Sequence, residues 1–427
     1  MNRRTFLSAA AAALAPAQTA KRPNVLMIMS DDLGYECLGC YGGTSYKTPH
    51  LDRMAAEGVR FTHAYSQPLC TPTRLQLMTG LYNNRNWKAF GVFDPHTVTF
   101  GHYMQRAGYK TVIAGKWQNW SYNPPDFEPE WRGKGQKAQN AGFDSYCVWH
   151  NGHTEDKGSR YGDPTYEENG KLHTDVKGKY GEDVFAGHIL NFFGSNRNQP
   201  VFAYYPMVLT HGPFNPTPKS KGWDTNRLKG DKAYFKDMVE YMDEVIGRLL
   251  ARVPKDTLVL YFSDNGTPQG IESRMGNRIV AGGKGKMTDA GTRVPLIAWG
   301  AGVTAKGQVL DDLVDSTDFV PTILDAGSAP RPAGVKLDGV SFLPRLRGER
   351  GTPRDWVFCW HDPRPGWDKE KYKLEVWARD RRWKLYLDGR LLDVPHDEFE
   401  QHPVTGGAEA EAARKRLKAV LDQQLGA

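Results

Sequence analysis

The chain has 427 residues, of which 25% are charged and 39% apolar, and carries a formal net charge of +7. That balance excludes an intrinsically disordered chain, and no apolar run in its body reaches the roughly 20 residues that would span a bilayer. The length suits one large domain with a smaller one. The mild positive charge suits a small anionic substrate and gives no reason to expect a nucleic-acid partner.

Residues 1–20 read as a leader. Asn2-Arg3-Arg4-Thr5-Phe6-Leu7 is a twin-arginine start, followed by an alanine-rich run and Ala15-Pro16-Ala17, a plausible cleavage point. Export to the periplasm or beyond is expected, and loss of the leader would take the net charge from +7 to +5. Residues 21–347 and 348–427 are expected to form the large and small domains.

Asn24–Ser30 is a continuous apolar run of strand length, the pattern of a strand buried on both faces of a parallel sheet, and it ends in Asp31-Asp32. A helix is predicted from Pro49, capped by Thr48 and ended by Gly58, and then a strand over 59–65. In Cys70-Thr71-Pro72-Thr73-Arg74, Pro72 suits the first turn of a helix that places Cys70 at its N-terminus and Arg74 one turn on. Further strands are predicted over 111–115, 201–206, 257–263 and 294–299, and helices over 100–107, 182–193 and 233–253. The last of these has Phe235, Met238, Met242, Val245 and Leu249 on one stripe. Residues 121–180 show little periodicity and read as long substrate-side loops. Strands alternating with helices predict an α/β fold: a doubly wound, mostly parallel sheet flanked by helices. Beyond 348, short strands with a hairpin turn at Asp388-Gly389 and a helical tail over 408–425 predict a small antiparallel sheet plus helix.

Four polar clusters fall where predicted strands end: Asp31-Asp32, Lys116, His211 and Asp264-Asn265. Each alone has an ordinary reading as cap, turn or solvated charge. Together they mark the edge of an open α/β sheet where ligands bind. Asp31, Asp32, Asp264 and Asn265 offer only oxygen ligands, which suits calcium or magnesium and not zinc. The glycine loop 281–286 brings Lys284 to the same mouth. Two lysines, an arginine and a divalent ion around one nucleophile describe a pocket for a tetrahedral oxyanion. Of five cysteines, Cys37 and Cys40 form a C-x-x-C without the second pair that zinc would want, and Cys70 is left for chemistry.

The motif set Asp31-Asp32-Leu33-Gly34, Leu38-Gly39-Cys40-Tyr41-Gly42, Thr48-Pro49-His50-Leu51-Asp52, the C-x-P-x-R of Cys70–Arg74, Gly115-Lys116-Trp117, Ser263-Asp264-Asn265-Gly266 and Gly283-Lys284-Gly285 to Arg293-Val294-Pro295 resembles a type I sulfatase of the alkaline phosphatase superfamily, across residues 23 to about 395. The resemblance implies hydrolysis of a sulfate ester, small or part of a glycan. It implies that Cys70 is oxidised by formylglycine-generating machinery to the aldehyde whose hydrate is the nucleophile. Asp31, Asp32, Asp264, Asn265 and an oxygen at position 70 would hold one calcium ion. Arg74 would stabilise the hydrate, Lys116 and Lys284 would hold sulfate oxygens, and His211 or Lys284 would protonate the leaving alcohol.

Two positions depart from the family pattern. Gln118 stands where the family usually has histidine after Lys-Trp, and it cannot take a proton. His150 and His153 are candidates to replace it, with Gln118 and His150 expected against the substrate. Asp289-Ala290-Gly291 replaces Glu-Gly-Gly and reads as a backbone variation. Trp117, Trp120, Trp131 and Trp149 are expected in loops over the site, where indole rings would stack on sugar faces. Two other readings fit the same motifs: a phosphodiesterase or phosphonate monoester hydrolase of the same fold, and an inactive anion- or glycan-binding homologue.

Overall fold

β1 (Asn24–Ser30) is buried from end to end, because both faces of its sheet are covered. Val25, Met27 and Met29 pack into one core with the helices Cys70–Thr79, Phe100–Arg106 and Phe319–Ala326. Leu26 and Ile28 pack into the other with the helices Pro49–Glu57, Gly181–Ser195 and Tyr234–Leu250. The unbroken apolar run is thus two period-2 patterns interleaved. The structure is a computed structural model that describes residues 22–120, 129–152 and 157–426; the expected leader and His153 lie outside them.

The remaining strands in chain order are β2 (Val59–Tyr65), β3 (Lys110–Lys116), β4 (Ser145–Trp149), β5 (Tyr166–Glu168), β6 (Lys171–His173), β7 (Val201–Pro206), β8 (Thr257–Ser263), β9 (Glu272–Met275), β10 (Arg278–Ala281), β11 (Arg293–Gly300) and β12 (Gln308–Asp315). Ten of them, counting β1, form one sheet in the order β12-β2-β11-β8-β1-β7-β3-β4-β5-β6, and β9 and β10 form a separate hairpin. β8, β1, β7, β3 and β4 are successive parallel neighbours, while β11 and β5 run against theirs. The predicted doubly wound, mostly parallel sheet is present.

β4, β5 and β6 correct the reading of 121–180 as loops. β4 is a fully buried parallel strand beside β3, but five residues flanked by glycine and polar segments carry no period long enough to read. Trp117 and Trp149 are 1% and 0% exposed and belong to the two cores, so they cannot stack on a sugar; Trp120 and Trp131 are only partly buried. Thr48 does precede the helix Pro49–Glu57 but makes no cap hydrogen bond to it; its hydroxyl accepts the Gly39 N–H and donates to Asp52 instead.

The C-terminal strands β13 (Val357–His361), β14 (Glu375–Arg379), β15 (Trp383–Tyr386) and β16 (Leu391–Asp393) form an antiparallel sheet. One face takes the helix Ala408–Leu425. The other packs Val357, Trp377 and Tyr386 onto Tyr65, Met287 and Leu313 of the larger body. Asp289 pairs with the buried Arg379 of this sheet at 2.5 Å, so the variation at 289–291 is a side-chain tie and not a backbone matter alone.

Candidate active site

Strand register sets the site. Ser30 lies opposite Ser263 in the β1–β8 ladder, so Asp31-Asp32 and Asp264-Asn265 leave the sheet at the same level. Asp31 is also laced to the segment after β7: its N–H donates to the Leu209 carbonyl at 2.8 Å, and its own carbonyl accepts the Thr210 N–H at 2.6 Å. That segment continues to His211. Lys116 ends β3, the next strand over. The four polar clusters therefore follow four adjacent parallel strands, β8-β1-β7-β3.

The side chains converge. Lys116 Nζ lies 2.8 Å from Asp31 Oδ2, Lys284 Nζ 2.5 Å from Asp32 Oδ2, and Arg74 donates to Asp264 Oδ2 at 2.9 Å. The same guanidinium lies 3.8 Å from Asp31. Asn265 donates to Asp32 Oδ1 at 2.8 Å, and His211 Nε2 is 3.8 Å from Asp32. Ligand atoms of Asp31, Asp32 and His211 lie within 4.8 Å of one another. Asp32 holds a φ of 64° and Gln118 one of 52°, a left-handed backbone that is uncommon outside glycine and that clusters at functional edges.

Burial alone would raise the Asp31 carboxyl, but Lys116, His211, Arg74 and Lys284 hold it below its ordinary value. Burial and the neighbouring Asp31 push Asp264 up to about 7, against Arg74 and Lys116. Burial and then Lys284 depress His211 well below the usual imidazole range. Burial pulls Lys284 down, but Asp32, Cys70 and Asp31 keep it above its ordinary value. Three carboxylates this close want positive charge, and two acceptors, Asp31 Oδ1 and Asn265 Oδ1, are buried with no donor among the described residues.

Cys70 is the first residue of the buried helix Cys70–Thr79 and is 4% exposed, packed with Leu69 and Phe90. The Thr73 hydroxyl donates to the Asp264 carbonyl, and the Gly285 N–H donates to the Pro68 carbonyl at 2.9 Å. The cysteine loop is so stapled to both the acid loop and the Lys284 loop. Cys37 and Cys40 are not bridged, and all five cysteines are free.

Gln118 and His150 are brought side by side, the Gln118 N–H donating to the His150 carbonyl at 3.1 Å. Sequence reasoning missed Glu182. Its Oε1 accepts the Val208 and Leu209 N–H groups at 2.7 and 2.8 Å, and its other oxygen accepts the Tyr205 hydroxyl. The carboxylate clamps the turn that carries His211. An acid in a helix's first turn reads as a dipole partner, so no signal in the chain sets it apart.

The Sulfatase family profile matches residues 23–329, which hold every one of these side chains. The chain belongs to the sulfatase family. The protein is a sulfuric ester hydrolase by that membership. It is 29% identical to the N-acetylgalactosamine-6-sulfatase of Canis lupus familiaris, over 90% of this chain and 78% of that one. To the arylsulfatase A of Homo sapiens it is 30% identical, over 83% and 73%. Among solved structures, a protein in complex with its substrate D-glucosamine-2-N,6-O-disulfate superposes on this sulfatase with a TM-score of 0.74 at 23% identity, covering 95% of this chain and 98% of that one.

Proposed function

We propose that this sulfatase releases sulfate from monoesters of sulfated carbohydrates, with a formylglycine made from Cys70 as nucleophile and one bound calcium ion. The observation that carries the reading is the meeting of the helix opening at Cys70 with Asp31, Asp32, Asp264, Lys116 and Lys284 at one sheet edge. The sugar class rests on the name of the N-acetylgalactosamine-6-sulfatase relative.

The donor set suits a hard divalent cation: oxygen ligands, crowded carboxylates and two buried acceptors that lack a donor among the described residues. Asp31, Asp32, Asp264, Asn265 and an oxygen at position 70 would hold it, and it would supply charge that polarises a sulfate oxygen. A formylglycine at position 70 would supply, as its hydrate, a nucleophilic oxygen and a second hydroxyl.

The chain's own residues divide the rest. Lys116 and Lys284 bind the non-bridging sulfate oxygens, and Arg74 balances negative charge beside position 70. Lys284 enters the reaction protonated, since Asp32 holds its charge, and gives a proton to the leaving alcohol. His211, kept neutral by burial and Lys284, orients that oxygen. Gln118 and His150 line the substrate side. The twin-arginine start supports export, and Cys70 requires formylglycine-generating machinery in the producing cell.

Sulfate release from a panel of sulfated mono- and oligosaccharides, with matched phosphate esters, tests the reading. Sulfated sugars should be turned over faster than their phosphate counterparts; preference for the phosphates would assign a phosphohydrolase.

A further inference from the structure

Within the site, cations and carboxylates are matched: Lys116 with Asp31, Lys284 with Asp32, Arg74 with Asp264. Among the described residues, two cations beside it have no such match. Among the described residues, no ion pair joins Lys157 or Arg160 to a carboxylate, although Lys157 is half-buried and Arg160 is 8% exposed with its Nη1 lacking a hydrogen-bond partner.

The place of Arg160 is fixed by the sheet. Trp149 is the register partner of Lys116, and the Arg160 guanidinium lies 4.0 Å from the centre of the Trp149 ring. The next residue, Tyr161, donates its hydroxyl to the carbonyls of Val208 and His211. Arg160 is thus held one strand outside Lys116 and against the turn that presents His211. Its backbone is pinned as well: a Cβ added to Gly181 would lie 2.1 Å from the Arg160 carbonyl oxygen. Lys157 feels the crowding, its ammonium pushed below the ordinary value by burial and by the charges of Arg160 and Lys116. Like charges gathered in a poorly solvated place are costly unless an anion joins them, and a guanidinium offers two parallel donors to a planar or tetrahedral oxyanion.

We propose that Lys157 and Arg160 form a subsite for a second anionic group, carboxylate or sulfate, on the saccharide that bears the scissile sulfate. The inference rests on the sulfatase reading above and narrows its substrate to a saccharide with two negative charges in neighbouring positions.

The test uses the aldehyde-bearing enzyme and matched substrate pairs sharing whichever sulfated position is cleaved. One arm compares an N-sulfated with an N-acetylated sugar, the other a uronate with its methyl ester; the arm with the larger effect identifies the second group. The quantity read is the ratio of kcat/KM for the dianionic member to that for the monoanionic member. In the wild type it should be about tenfold or more, the scale of a charge-assisted hydrogen bond. Arg160→Gln and Lys157→Met should each bring it toward one. A general loss of activity lowers both members alike and leaves the ratio intact, which would overturn the proposal, as would a wild-type ratio near one. Failure of the wild type on aryl sulfate too would instead remove the sulfatase reading, and this subsite with it.

Discussion

Arg74 and Asp264, 190 positions apart in the chain, are joined by a 2.9 Å hydrogen bond between fully buried side chains. The bond ties the helix that begins at Cys70 to the end of β8. It makes Arg74 both a charge beside the reacting position and the counter-ion of an acid that burial disfavours.

Both roles predict the behaviour of Arg74→Ala. Loss of an oxyanion-type stabiliser should lower kcat by roughly 10²–10³-fold. Leaving Asp264 and Asp31 without their guanidinium should also destabilise the fold by about 3–5 kcal/mol. Steady-state kinetics and thermal melts check the two together, and Arg74→Lys should recover part of the stability with little of the rate. A near-normal rate would remove Arg74 from the chemistry.

On the proposed function, calcium is expected to stabilise the protein as well as activate it, because it would bind only where the acids are assembled. Chelation should abolish sulfate release and lower the melting temperature, and added calcium should restore both. Asn265→Ala should move the midpoint of the calcium titration upward by about tenfold, since one ligand oxygen is lost. A melting temperature indifferent to calcium would count against the site.

Glu182 gives a pH dependence of known sign. Burial pushes its carboxyl up to about 7 from an ordinary 4.5, against hydrogen bonds from Tyr205, Leu209 and Val208. The folded protein therefore keeps a proton that the unfolded chain releases as pH rises past 4.5. This group's contribution is fully present below that pH and falls by about 3 kcal/mol as pH approaches 7. Glu182→Gln keeps an acceptor for the two amides and has no charge to bury. The melting temperature of the variant relative to wild type should climb between pH 4.5 and 7; a flat difference would contradict the account.

Gln118 cannot carry a proton, so expulsion of sulfate is expected to limit turnover. Rapid mixing with an aryl sulfate should show a burst of alcohol. Gln118→His should raise kcat and shrink the burst, and its absence in the wild type would mean that another base serves.

The sheet was legible where burial is two-sided. β1 and β8 are unbroken apolar runs that end in acid, and their place in the sheet follows from that pattern. β4 to β6 were not, because strands of three to five residues among glycines carry too little period. The lysines, acids and arginine that converge at the sheet edge stand out in the sequence because each lies at a strand end or in a short motif. Glu182, Lys157 and Arg160 do not, since what singles them out is a clamp, a stack or the lack of a partner among the described residues, all properties of contacts and not of sequence. Trp117 and Trp149 misled for the same reason: indoles beside a site motif read as a sugar platform, and packing placed them in the core.

The most direct test of the central claim is mass spectrometry of the peptide containing position 70, from cells with the modifying machinery, in parallel with aryl sulfate turnover on the same preparations. Turnover should rise in proportion to the fraction of molecules carrying the aldehyde and vanish in Cys70→Ala. Sulfate release from protein whose residue 70 is entirely thiol, or none from protein that is entirely aldehyde, would contradict it.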